Sequence, residues 1–155
     1  MMDQRREHAA RAADPSQQDL GTETSGRIRH DIRGWLASAG TLRIPLRARF
    51  DYDPADPYVV RLSFCLPNHR EVTWIFGRDL LADGLHLPSG AGDICVAPKA
   101  ERILQIALTP LSGAALIEVR RARVGDFLKA TERIVPRGQE KIDIDAFLST
   151  FPEDD

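Results

Sequence analysis

Apolar and polar positions begin to alternate at Arg27. Ile28, His30 and Ile32 take one side, and Arg29, Asp31 and Arg33 take the other. A period of two marks a half-buried strand. Gly34 and the ASAGT run are read as its end, with a turn at Gly40. Leu42, Ile44, Leu46, Ala48 and Phe50 alternate with arginines to give a second strand, which Pro45 marks as irregular or at a sheet edge. Tyr58 to Cys65 and Val72 to Phe76, joined by the polar PNHR turn, form a hairpin. Arg78 to Asp83 predicts a short helix stopped by Gly84 at its C′ position, and HLPSGAG a loop. Asp93 to Ala97, Arg102 to Leu108 and Ala114 to Val119 read as three more strands.

After Val119 the apolar spacing lengthens. Val124, Phe127, Leu128, Thr131 and Ile134 form a helical stripe, predicting a helix from about Ala122 to Ile134 that stops before Pro136. A short final helix over Asp143 to Thr150 follows, with Asp143 as its N-cap. The turns are too short for crossover helices, so the strands pair antiparallel. The predicted class is α+β: a mostly antiparallel, twisted sheet of about seven strands with a long C-terminal helix.

Residues 1–26 have almost no large apolar side chains and are expected to be a disordered extension, with a frayed helix over Asp3 to Ala13 as the rival reading. Residues 27–155 then make a single domain. No apolar run has the length of a membrane span, and the N-terminus lacks the apolar core of a secretory signal, so a cytoplasmic protein is expected. Cys65 and Cys95 lie in apolar segments and are expected to be buried, reduced thiols. Net charge is −2, but it is unevenly spread: residues 27–137 carry +5 and residues 138–155 carry −5. An acidic end therefore follows a mildly basic body, available to fold over it or to meet a partner.

Candidate chemistry is sparse. Asp51, Asp53 and Asp56 alternate like a cation loop, but an EF-hand starting at Asp51 would need glycine where Asp56 stands and glutamate where Leu62 stands. His8, His30, His69 and His86 have no ligand spacing, and a Cys95–His86 dyad would need an exposed thiolate. The glycines of Ser89 to Asp93 lead into a strand rather than the helix N-terminus that a phosphate loop requires. No catalytic, cofactor or metal site is predicted, and no enzyme. The candidate partner-binding residues are Arg120, Arg121, Arg123, Lys129 and Arg133, with Arg137 beyond them. The first three open the long helix, where positive charge opposes the helix dipole and favours a partner anion. Trp35, Trp74, Phe64 and Phe76 would supply stacking surfaces if the partner were single-stranded nucleic acid, though core packing suits most of them better.

Two blocks carry a resemblance: YDPADPYVV (Tyr52 to Val60) and WIFGRDLLADGLHLPSGAGD (Trp74 to Asp93), supported by LTPLSGAALIEV and FLKATERIVPRGQE. Together they resemble the SsgA-like proteins, actinobacterial regulators of sporulation-specific cell division, from about Ile28 to Phe151. The composition, 18 Arg against 3 Lys, agrees with a GC-rich genome of that kind. The resemblance implies a non-enzymatic regulator of septum-site choice, division-protein recruitment or spore-wall remodelling, recruited to division septa. Its implied partners are FtsZ or another SsgA-like protein, its implied fold is Whirly-like, and its implied assembly is a homotrimer. Ala97, where the family often has an aromatic residue before the proline, and the long N-terminal extension mark a divergent paralogue. The alternative function is single-stranded nucleic-acid binding through the sheet face and the arginines.

Overall fold

The computed structural model describes residues 21–24, 26–37, 43–109 and 115–142. Their strands are β1 (Gly21–Thr24), β2 (Arg27–Ala37), β3 (Arg43–Tyr52), β4 (Val59–Cys65), β5 (Glu71–Gly77), β6 (Ser89–Ala91), β7 (Ile94–Ala100), β8 (Ile103–Leu108) and β9 (Ala115–Arg120). Helix α1 (Arg78–Gly84) joins β5 to β6, and α2 (Arg121–Ile134) follows β9 directly. Every strand pair is antiparallel, in the order β5-β4-β3-β2-β9-β8-β7-β6, with β1 added beside β2. β1 and β9 share one edge of β2: β1 pairs with Arg27 to His30 and β9 with Gly34 to Ala37. α1 packs on β4 and β5 near one end of the sheet and on β6 and β7 at the other. The sheet is therefore curled, with α1 bridging its ends.

The period-two reading places the core correctly. Ile28, Ile32, Ala48, Phe50, Val60, Leu62, Val96, Leu104, Ile106, Ile117 and Val119 all point to the inner face and are buried. α2 covers that face with Val124, Phe127 and Leu128. The Phe127 ring lies 5.5 Å from the His30 ring and 5.6 Å from that of Phe50. Each fully buried large side chain stabilises the fold by about 1.5–3 kcal/mol.

Several expectations are corrected. The sheet has nine strands among the described residues rather than about seven, because β1 and β6 pair where a polar extension and a loop were expected. Main-chain pairing, unlike burial, leaves no mark in side-chain type. β2 does not end at Gly34. It runs to Ala37, and Gly34 is where β9 comes close: a Cβ there would lie 2.4 Å from the Glu118 carbonyl oxygen. Gly84 is the last residue of α1 rather than its C′ cap, and it has no positive φ. It lets the helix rest on β7, since a Cβ would lie 2.4 Å from Val96 Cγ1. Pro45 lies in β3, an inner strand of the sheet order, but at a stretch with no β4 partner, so the edge expectation holds locally. β4 pairs only with Arg49 to Asp51, so the prolyl nitrogen sits beyond the reach of that neighbour. Cys65 and Cys95 are exposed free thiols, because both fall on the outer-face positions of their strands.

Residues 1–20 and the expected final helix over Asp143 to Thr150 lie outside the described residues. So do most residues of the two turns expected at ASAGT and TPLSG.

Candidate interaction surface

The aspartates of the Asp51 to Pro57 turn serve its geometry. Asp53 Oδ1 accepts from the Ala55 amide at 3.0 Å, an Asx-type turn, and the Asp53 carbonyl accepts from the Asp56 amide at 2.9 Å. Asp51 accepts from Arg29 Nε at 2.8 Å. Among the described residues no group of three or more His, Cys, Asp or Glu side chains is arranged to hold a metal ion. His69 closes the hairpin turn with φ of +67°, and His86 lies 3.4 Å from Arg121 rather than on Cys95. Phe64 and Phe76 are buried in the core and cannot stack on a ligand.

The predicted basic group does not form one patch. Arg120 is exposed at the end of β9, where it is the N-cap residue of α2 without a side-chain cap bond. Arg121 turns to the β7–β8 connection: its amide donates to the Arg102 carbonyl at 2.9 Å, and Nη1 to the Glu101 carbonyl at 3.2 Å. Arg123 projects from the other flank of the first turn, half-buried. Lys129 and Arg133, four residues apart, are neighbours on the exposed face of α2. Arg137 is committed to α1, donating to Asp79 at 2.9 Å and Asp83 at 3.2 Å.

Pattern reading alone misses Arg78. It opens α1 and has no solvent exposure. Its Nη2 donates to Glu140 Oε2 at 2.6 Å, its Nη1 to the Val135 carbonyl at 2.7 Å and to Thr131 Oγ1 at 3.3 Å. The guanidinium carbon lies 4.9 Å from the Tyr52 ring centre, a cation–π contact. Nε is buried and has no acceptor among the described residues. Tyr52 in turn donates its hydroxyl to the Pro57 carbonyl at 3.0 Å, and burial pushes its pKa up against the opposing charge of Arg78. The hydrogen bond from Arg78, with backbone amides behind it, holds the Glu140 carboxyl below the usual carboxylate range. Tyr58 adds a hydroxyl bond to the Glu140 carbonyl at 3.3 Å. Residues 135–140 are thus a strap drawn across α1. The sequence signal was an arginine set between the apolar runs WIF and LL.

The outer face of the sheet has its own charge cluster. Glu118 on β9 is buried, yet it faces outward between Arg43, at 2.7 Å, and Lys99. The Lys99 hydrogen bond, with the charges of Lys99 and Arg43, outweighs burial and lowers its pKa. Arg43 also stacks on Trp35, 4.8 Å from the ring centre.

Comparisons with known proteins agree with this architecture. Residues 46–140 match the family described as Streptomyces sporulation and cell division protein, SsgA. The chain is 39% identical over 132 residues to the sporulation-specific cell division protein SsgB of Frankia casuarinae, covering 79% of this chain and 92% of that one. It is 41% identical over 123 residues to the SsgB of Streptomyces coelicolor, covering 76% and 88%. Among solved structures it superposes on the SsgA-like sporulation-specific cell division protein of Thermobifida fusca with a TM-score of 0.73 at 35% identity, covering 84% of this chain and 96% of that one. Among the described residues no helix is long and apolar enough to cross a membrane. The chain belongs to the SsgA family of sporulation and cell division proteins.

Proposed function

We propose that this chain regulates sporulation-specific cell division without catalysing a reaction, acting by protein–protein contact at the septum. It would choose septum sites, recruit division proteins or guide spore-wall remodelling. The observation that carries this is relatedness over most of both chains: relatives at 39–41% identity, covered to 88–92% of their length, are sporulation-specific cell division proteins. The geometry is in keeping with it. The domain is a curled sheet tied by buried contacts, with its free charge on outward surfaces.

Division-machinery proteins, FtsZ or another SsgA-like protein, are the partners this reading implies. A Whirly-like homotrimer is its assembly, and Lys129 and Arg133 with Arg120, Arg121 and Arg123 are its first contact candidates. Single-stranded nucleic-acid binding is the weaker reading, because two of the four candidate stacking rings are core residues. Deleting the gene in its sporulating host is expected to disturb septum placement, spore-wall maturation or spore separation, and tagged protein is expected at septa. Normal septation and spores, with the tagged protein diffuse throughout, would refute the proposal. Light scattering in solution tests the trimer.

A further inference from the structure

The free edges of the sheet are finished differently. β6, outermost at one end, is three residues long. β1, added beside β2, is four residues long. The stretch of β3 that β4 leaves uncovered carries Pro45 and arginines. Shortness, proline and charge are ways of keeping a free edge from pairing with another chain. β5, outermost at the other end, has little of this protection. It runs for seven residues, Glu71–Gly77, without proline, lysine or a register shift, and its one charge stands at its first residue. Among the described residues only β4 pairs with it.

The ladder fixes which of its main-chain groups are free. Arg78 donates its amide to the Tyr58 carbonyl at 2.8 Å, and Leu66 donates its amide to the Arg70 carbonyl at 2.8 Å. Alternation between those ends makes Val72, Trp74 and Phe76 the residues bonded to β4. Glu71, Thr73 and Ile75 therefore direct their N–H and C=O groups away from the sheet, and their side chains are exposed on its outer face. Ile75 is 56% exposed, although isoleucine is among the residues most often buried.

We propose that β5 pairs antiparallel with β5 of a second copy of this chain, about a two-fold axis at Thr73. The strand is self-complementary in that register. Thr73 faces Thr73, Glu71 faces Ile75, and each outward N–H meets an outward C=O. On the inner face Val72 meets Trp74 of the other copy; both are half-buried in a single copy and cover each other in the pair. On the outer face Ile75 separates Glu71 of one copy from Arg61 of the other, since Arg61 stands opposite Ile75 on β4. That span is two strand spacings, roughly 10 Å, which a glutamate and an arginine can bridge together. A slip of one residue would set free groups against groups already bonded to β4, and a slip of two would shorten the overlap. The contact closes at two copies and is independent of the three-fold assembly proposed above. Alone it gives a dimer, and combined with a trimer it gives six copies.

The test uses the full chain. Light scattering over a concentration series is expected to show two or six copies. Hydrogen exchange is expected to slow at the Glu71, Thr73 and Ile75 amides as concentration rises, with the Val72, Trp74 and Phe76 amides protected throughout. Thr73→Pro removes only an outward N–H, which an edge strand tolerates. Ile75→Lys puts a charge at an exposed edge position. Each is expected to weaken the two-fold association about tenfold or more, because each change enters the contact twice, while melting close to the parent. Thr73→Val keeps the N–H and is expected to leave association unchanged. Should the proline variant unfold, Ile75→Lys decides alone.

One or three copies of the parent at every concentration overturns the proposal. So does association that the variants leave intact. A trimer that they reduce to single chains overturns it too, by placing the β5 edge in the three-fold ring. Protection of the Glu71, Thr73 and Ile75 amides in the single chain at high dilution does the same, since a segment of the chain itself would then cover the edge. Each of these results leaves the regulatory reading standing, because that reading is tested by gene deletion.

Discussion

Arg78 and Glu118 are both buried charges, and the fold satisfies them in opposite ways. Arg78 lies on the inner side, and its partner Glu140 has a side chain only 5% exposed, 62 positions away in sequence. Glu118 lies on the outer face, where its partners Arg43 and Lys99 are about half exposed, at 50% and 51%. In the first case charge is enclosed by a tertiary closure: strap, α1 and α2 must all be in place. In the second, long flexible cations reach over a carboxylate and keep their stems and remaining donors in water. An enclosed pair loses everything when one member goes, whereas a half-open cluster lets water fill in. Arg78 therefore reads as architecture, and the Glu118 cluster as a surface device open to rearrangement.

The sharpest way to break this contrast is at Arg78. Arg78→Met keeps the apolar stem but removes every polar contact, and a loss of about 3–5 kcal/mol is expected from denaturant unfolding. Release of the strap should accompany it, read as faster proteolytic cleavage after Arg137 and Lys141 in native conditions. A stable variant with a protected strap would show that the guanidinium is dispensable. Next in size is Gly34→Ala. The new methyl would meet the Glu118 carbonyl oxygen at 2.4 Å, so β2 and β9 must separate locally, at a cost of about 1–3 kcal/mol. Hydrogen exchange should then rise at the short Gly34–Ala37 pairing first. Uniform loss of protection would mean that this pairing is not a separable unit.

How far the residues foretold this contrast depends on which interaction carries each part. Alternation exposed β2 to β5 and β7 to β9, because burial selects side chains every second position. The stripe of Val124, Phe127, Leu128 and Thr131 exposed α2 for the same reason at helical spacing. Where main-chain proximity decides, the pattern is silent. Gly34 and Gly84 look like stop signals, yet both are packing residues whose meaning depends on a distant strand. The candidate basic group was legible as composition and not as geometry, since helix phase and turn contacts send Arg121, Arg123 and Lys129 in different directions. Arg78 is missed by pattern reading, its apolar flanks being the single local sign, and nothing local points to Glu140.

A smaller effect is expected at Glu118. Glu118→Gln keeps the shape and removes the charge, and because Arg43 and Lys99 can turn to water the loss should be about 1.5 kcal/mol by denaturant unfolding. A loss as large as that of Arg78→Met would erase the distinction between enclosed and half-open charge. Arg43 would also be freer to leave Trp35, so tryptophan emission is expected to shift in this variant and not in Arg78→Met.

The smallest effect separates the two regions by acid. Both Glu118 and Glu140 have folded-state pKa values lowered, the first chiefly by the Lys99 hydrogen bond and the second chiefly by that of Arg78. A carboxyl with a depressed folded value contributes stability that is present above its unfolded pKa, near 4.3 for glutamate. That contribution is lost as pH falls through the folded value. The melting temperature is therefore expected to hold steady above about pH 5 and to drop on further acidification. Glu118→Gln and Glu140→Gln should each flatten part of that slope, and the double variant should flatten more than either alone. Strap release should follow acidification in the parent and in Glu118→Gln, but should already be present at neutral pH in Glu140→Gln. If both variants keep the full acid slope, the acid response does not arise at Glu118 or Glu140, and the two buried charges differ in packing alone.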